Sequence, residues 1–425
     1  MVGGVAEDRI RNIENVTGGS GADTLRGDGL ANVLSGGFGN DVLRGGGGKD
    51  VLDGYIGVDT ADYSDKTASV VLTLNGAADA VVTVGGLAED TISSIENVTG
   101  GAGADTLHGD NLANALSGGG GNDVLRGAGG ADVLDGGAGV DTADYSDKTS
   151  SVLVMLNGAT NATVTIDGVA EDTLRNIENV TGGGGADVLD GGAGVDTARY
   201  GNITAPVVVT LNGARTSVVM VGGVAEDRIR NIENVTGGSG DDTLRGDGLA
   251  NVLSGGFGND VLRGGGGKDV LDGYIGVDTA DYSDKTASVV LTLNGAADAV
   301  VTVGGVAEDT IRSIENVTGG SGADTLVGDG KANTLLGGGG DDTLTGAGGA
   351  DIFVFAPAFG RDVVTDFTSS DTLRIDHTIF ADWTTLLSHA QQVGADTVIT
   401  SSATQTITLD NFSLAALTAS QIQFV

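Results

Sequence analysis

Seventeen aspartates of this chain hold one place in a nine-residue phrase, Gly-Gly-x-Gly-x-Asp-x-Leu-x. The phrase reads cleanly at Gly36-Gly37-Phe38-Gly39-Asn40-Asp41-Val42-Leu43-Arg44, and Gly45 to Asp53 repeats it. In register, it or a close variant occurs 21 times. Its sixth position holds Asp23, Asp41, Asp50 and Asp59; Asp105, Asp123, Asp132 and Asp141; Asp187 and Asp196; Asp242, Asp260, Asp269 and Asp278; and Asp324, Asp342 and Asp351. The four exceptions, Asn32, Asn114, Asn251 and Asn333, are each the second phrase of a tract. Gly-Asp turns are common in any protein, which accounts for one phrase but not for so many in register.

Carboxylates at fixed spacing point to hard-cation binding. Two phrases bring the chain once around, so Asp23 and Asp41 stack on one edge and Asn32 and Asp50 on the other. Each stacked pair offers side-chain oxygens, glycine turns add backbone carbonyls, and Ca²⁺ accepts six or more such oxygens. All 21 sixth-position residues are therefore expected metal ligands. The asparagines offer a carbonyl oxygen, so their sites should be weaker. Pairs two phrases apart, with Glu178–Asp196 as one more, give an expected load of about 11–12 Ca²⁺. About twelve such ions would bring the formal charge from −37 to about −13.

The elements that must position these groups follow from the same phrase. Glycines at the first, second and fourth places allow tight turns. The last three residues, such as Thr24-Leu25-Arg26, form a strand whose middle residue faces inward. The expected fold is all-β: a parallel β-roll, or β-solenoid, of glycine-rich nonapeptides, with β-hairpin spacers and a small β-rich C-terminal cap. One inward leucine per phrase returns less than ordering the backbone costs, so metal binding should be linked to folding.

A longer period carries the short one: Val5, Leu87, Val169, Val224 and Val306 begin equivalent segments. The expected units are 1–86 (phrases 18–62), 87–168 (100–144), a shortened 169–223 (182–199), 224–305 (237–281) and 306–354 (319–354), then a cap at 355–425. The third unit lacks three whole phrases, and its two-phrase tract is expected to be the weakest part. Residues 2–86 recur at 221–305 with one change, Ala22 to Asp241, which reads as a recent duplication. Each tract is preceded by a lead-in such as Ile13-Glu14-Asn15-Val16, whose Glu14 and Val16 share the register of the phrase Asp and Leu. After the tract, Ser69 to Gly76 and Val81 to Gly86 read as two strands around an Asn75-Gly76 turn.

Composition narrows the function classes. The chain has 77 Gly among 425 residues, no Cys, and 58 acids against 21 bases. Nucleic acid is disfavoured, since phosphate contacts need Lys and Arg. There is no disulfide framework, no apolar run long enough for a transmembrane helix, and no signal-peptide pattern at Met1 to Asp8. Met1 falls inside a repeat unit, at the equivalent of Met220, so an open first layer is expected to self-associate. Seven of the nine Phe and the single Trp383 lie beyond Asp351. There, helices over 381–390 and 413–419 and strands over 396–401 and 405–410 should close the solenoid.

No His-Glu-x-x-His or Gly-x-Ser-x-Gly occurs, and a non-enzyme is expected. His108 lies at an outward strand position, and His377 and His389, near Asp376 and Asp382, read as packed or solvated cap residues. Tyr63, Tyr145, Tyr200 and Tyr282 each follow a tract and should cap the leucine stack, while Tyr55 and Tyr274 lie within one.

These phrases resemble the RTX family, the hemolysin-type calcium-binding repeat proteins, whose signature is this nonapeptide. The phrase from Asp90 to Val98 is similar to that family's spacers, and Asp362 to Val425, with Asp366-Phe367 and Asp371-Thr372-Leu373, to its C-terminal segment. The C-terminal Gln421 to Val425 is apolar but lacks the acidic residue some members carry. The resemblance implies a parallel β-roll with Ca²⁺ in its turns. It also implies export from a Gram-negative bacterium by type I secretion machinery reading an uncleaved C-terminal signal. The expected function is a secreted, extracellular calcium-binding protein that folds as it meets the metal outside the cell, with a structural or adhesive role. The alternative is the repeat and secretion region of a larger protease, lipase or epimerase whose catalytic domain is absent from this chain. A cell-surface polysaccharide is a further expected partner class.

Overall fold

The computed structural model describes residues 13–425. The readings placed on Met1 to Asp8, Val5 among them, lie outside the described residues. The chain divides into two compact units, Met1–Ala198 and Arg199–Val425.

Short strands alternate between two parallel sheets in each unit. In the first unit, Asn15–Thr17, Val33–Phe38 and Val51–Ile56 follow one another in one sheet, and Thr24–Arg26, Val42–Arg44 and Thr60–Asp62 in the other. The register is a step of two phrases: Val16 faces Leu34, Leu34 faces Leu52, and Leu25 faces Leu43. The second unit repeats it, with Leu253 opposite Leu271 and Leu326 opposite Leu344. Inward leucines such as Leu43, Leu52, Leu125, Leu262 and Leu344 are fully buried. The core is thus one column of aliphatic side chains per sheet. The last phrase of each long tract puts alanine inward, Ala61, Ala143 and Ala280, and the buried Tyr63, Tyr145 and Tyr282 follow just after.

The spacer contains the hairpin across Asn75-Gly76: Val70–Thr73 runs antiparallel to Ala80–Val84, and Gly76 takes φ 58°. A third strand, Leu87–Ser93, adds to it, because the Ala-Glu-Asp-Thr-Ile run alternates as a strand does. This third strand pairs in parallel with Val51–Ile56, and the first pairs in parallel with Thr106–His108. The meander is therefore spliced into the sheet and the column resumes beyond it, Leu72 opposite Leu107. The same three-stranded insertion recurs over 152–175, 207–230 and 289–312.

The C-terminal segment continues the column. Arg361–Val364 and Thr372–Ile375 extend the two sheets, with Thr343 opposite Val363 and Ile352 opposite Thr372, so these coils are slightly longer than those of the tracts. Phe353, Phe355, Phe359, Phe367 and Phe380 are buried, with Phe367 and Phe412 edge to face at 5.1 Å. The helix spans Trp383–Ser388, where Asp382 caps it by accepting from Thr385 N at 2.7 Å. Two 3₁₀ turns, Leu414–Ala416 and Ala419–Gln421, stand where one short helix was expected, and Ile422–Phe424 adds a final parallel strand. No helix among the described residues is long and apolar enough to cross a membrane, which says nothing of β-barrel spans.

Candidate metal centre

Each phrase delivers its aspartate at the junction of turn and strand, so the carboxylates form ladders along the two edges. Within a ladder, one carboxylate oxygen accepts the backbone N–H of the residue one coil earlier. Asp41 Oδ1 accepts from Asp23 N at 2.7 Å, and Asp59 Oδ1 from Asp41 N at 2.7 Å. Asp50 takes Asn32 N, and Asp132 takes Asn114 N, each at 2.8 Å. In the second unit Asp260 takes Asp242 N and Asp342 takes Asp324 N, each at 2.8 Å. The predicted pairs, two phrases apart, are therefore in contact.

The second carboxylate oxygen is the chemically open one. Oδ2 of Asp41, Asp50, Asp59, Asp123, Asp132, Asp141, Asp260, Asp269, Asp278 and Asp342 is buried with no hydrogen-bond partner. An orphaned buried carboxylate oxygen is costly. It faces the first glycine of its own phrase: a Cβ on Gly118 would clash with Asp123 Oδ2 and with the Gly136 carbonyl oxygen of the next coil. That glycine is there for space, whereas Gly119 and Gly121 supply backbone angles, at φ 98° and 116°. A partnerless carboxylate oxygen and a carbonyl oxygen converging on one small gap fit Ca²⁺, which takes hard oxygen ligands. Among the described residues no three acidic or histidine side chains converge on one point. Backbone oxygens must therefore supply much of any coordination shell.

The opening phrases of a tract differ. Asp105 Oδ2 already accepts Gly101 N at 2.7 Å, and Asp324 Oδ2 accepts Gly320 N at 2.8 Å. The second phrase explains its asparagine. Asn97 takes Ala115 N on its side chain at 2.9 Å, which leaves the Glu96 carbonyl to accept Asn114 Nδ2 at 2.9 Å. Asn251 with Glu233, and Asn333 with Glu315, repeat the contact at 2.8 and 2.9 Å. An aspartate cannot donate there. Asn114→Asp, although it restores the common residue, is expected to destabilise the fold by about 1–3 kcal/mol at neutral pH. Urea midpoints at fixed calcium check this; a variant as stable as the parent contradicts it.

Several ladder members carry no glycine phrase. Asp90, Asp172 and Asp309, on the third spacer strand, accept from Asp50, Asp132 and Asp269 N at 2.8, 2.9 and 2.9 Å. Asp362 and Asp371 extend the ladders into the cap at 3.1 and 3.0 Å. The lead-in glutamates join too, in the same sense: Glu178, expected to pair with Asp196, accepts on Oε2 from Asp141 N, in the tract before it, at 2.8 Å. Tyr145 donates to Asp172 Oδ2 at 3.0 Å, so this capping tyrosine also closes the ladder.

Burial, and then neighbouring carboxylates, push these groups up: Asp123, Asp260 and Asp342 to about 7, and Asp362 to about 8. The histidines are engaged locally. His377 Nδ1 lies 2.6 Å from the Val425 carbonyl oxygen, His389 Nδ1 lies 2.8 Å from that of Thr385, and His108 lies beside Thr73 at 3.5 Å.

A family profile agrees with this geometry. The profile described as RTX calcium-binding nonapeptide repeat (4 copies) matches residues 12–29, 26–61, 90–111, 108–143, 176–202, 231–248, 245–280 and 318–353. Among solved structures the chain is similar to the extracellular lipase LipA from Serratia marcescens, at 18% identity and a TM-score of 0.21, covering 77% of this chain and 40% of that one. The chain thus spans less than half the length of that lipase. No curated protein matches it.

Proposed function

Because the chain belongs to the family of RTX calcium-binding nonapeptide repeat proteins, we propose that it is a secreted calcium-binding β-roll that folds on meeting the metal outside the cell and then serves a structural or adhesive role. The observation that carries this reading is the row of buried carboxylate oxygens without partners, of which those of Asp41 and Asp123 share their glycine gap with a carbonyl oxygen of the next coil. Calcium, when bound, supplies the positive charge that lets these carboxylates stay ionised while buried. The chain does the rest: Oδ1 locks each coil to the previous one, glycine keeps the gap open, and leucine closes the core. Extracellular calcium modules work at roughly 10⁻⁴–10⁻³ M, so the repeats would remain unfolded at cytosolic calcium, in a form able to thread a secretion channel. Circular dichroism during a calcium titration tests this. A coil-to-β transition is expected at neutral pH, and a β signal indifferent to excess chelator contradicts the reading.

A further inference from the structure

The five-phrase tracts do not close at their last aspartate. A Cβ on Gly54, which opens the fifth phrase of the first tract, would clash with Asp59 Oδ2 and with the carbonyl oxygen of Ser94, just past the third spacer strand. Gly136 meets Asp141 Oδ2 and the Asn176 carbonyl in the same way, and Gly273 meets Asp278 Oδ2 and the Ser313 carbonyl. These three aspartates are at most 1% exposed, and their Oδ2 atoms have no hydrogen-bond partner. The arrangement is that of Gly118 inside a tract, with a residue after the spacer supplying the carbonyl in place of a glycine.

The spacer is built to put that carbonyl there. Ser94, Asn176 and Ser313 take φ of 50°, 50° and 52°, a left-handed conformation uncommon outside glycine. Each N–H donates to the carbonyl of the hairpin-turn glycine, Gly76, Gly158 or Gly295, at 2.7, 2.8 and 2.6 Å, so the hairpin holds the strained residue in place. Two residues on, Glu96 and Glu178 accept on Oε2 from Asp59 N and Asp141 N at 2.8 Å, and Glu315 from Asp278 N at 3.1 Å. A phrase takes six residues from its first glycine to its aspartate, as from Gly54 to Asp59, but only three run from Ser94 to Glu96. The longer glutamate side chain makes up for the shorter turn. In the last copy Glu315 Oε1 also meets the exposed Lys331 at 3.3 Å.

We infer that the step from the fifth phrase into the lead-in beyond the spacer is a calcium site of its own. The last aspartate of the tract and the carbonyl after the spacer are its ligands, and the lead-in glutamate supplies the second negative charge. Calcium there ties each five-phrase tract to the segment that follows its hairpin. The inference rests on the calcium reading of the ladders and moves part of the load. The opening aspartates of the same tracts, Asp23, Asp105 and Asp242, already accept the N–H of their own turn on Oδ2 at 2.5, 2.7 and 2.6 Å. Three junction steps therefore stand in for three opening steps, and the total is unchanged.

The test uses the full chain carrying E96Q, E178Q and E315Q together, which keeps an oxygen for each aspartate N–H and removes the charge. Bound calcium is counted by equilibrium dialysis at the lowest calcium that saturates the parent, with circular dichroism followed in parallel. Three ions fewer than the parent are expected, and one fewer for E96Q alone. E89Q, at the spacer glutamate that pairs with Lys66, is the control and should keep the parent's count. An equal count in folded E96Q and parent overturns the inference, as does the same loss in E89Q. Failure of E96Q to fold in saturating calcium also overturns it, because losing one site among many should leave the roll standing. A parent chain that binds no calcium instead defeats the reading of the ladders themselves, before any variant is made.

Discussion

With calcium chelated, the chain is expected to be unfolded at about pH 7.5 and to gain β structure on acidification to about pH 5. Asp123, Asp132, Asp260, Asp269 and Asp342 are pushed up to about 7 from an ordinary 3.8, chiefly by burial. Between those two values the folded chain holds protons that the unfolded chain has released. Stability of the metal-free fold is therefore present at low pH and lost as pH rises through about 7. The formal charge of −37 acts in the same direction through self-repulsion. Calcium replaces those protons, so binding at about pH 6 should release them into solution. Circular dichroism in chelator across pH checks the first part and proton release in weak buffer the second. A metal-free β signal that is flat from about pH 5 to about pH 8 contradicts the account.

Asp123→Ala is expected to be among the most damaging single substitutions in the first unit. Asp123 Oδ1 satisfies Asp105 N, its own N–H is held by Asp141 Oδ1, and its Oδ2 faces the gap at Gly118. Alanine leaves the buried Asp105 N–H without its acceptor, a cost of about 1–3 kcal/mol, and removes a ligand as well. The variant should bind at least one ion fewer and need several-fold more calcium to fold. Asp79→Ala, at an exposed position in a spacer turn, is the control and should change neither. Equal ion counts and equal midpoints for Asp123→Ala and the parent would contradict the ladder.

Much of this was legible because each phrase states its needs locally. Leu43 must face inward, Gly119 must turn left-handed, and Asp41 must meet Asp23 one coil away, so the short period already implies coils of two phrases. What escaped depends on neighbours distant in sequence. Asp90 joins the ladder without any glycine beside it; the usable signal was its place ahead of the inward Ile92, as Asp41 stands ahead of Leu43. Asp362 and Asp371 carry the same signal ahead of Val364 and Leu373. The asparagine at position 114 reads as a weaker ligand until the Glu96 carbonyl is seen opposite it. The third spacer strand was hidden for a similar reason: Ala88-Glu89-Asp90 looks like an acidic turn, yet it alternates across a sheet edge and feeds Glu89 to Lys66.

The central claim is that calcium bound between coils is what makes this chain fold. The most direct measurement counts bound calcium through the folding transition of the full chain at neutral pH. The ladders predict about 11–12 ions per chain, taken up together with the β signal. Two or three ions, or a roll already formed before any ion binds, would contradict it.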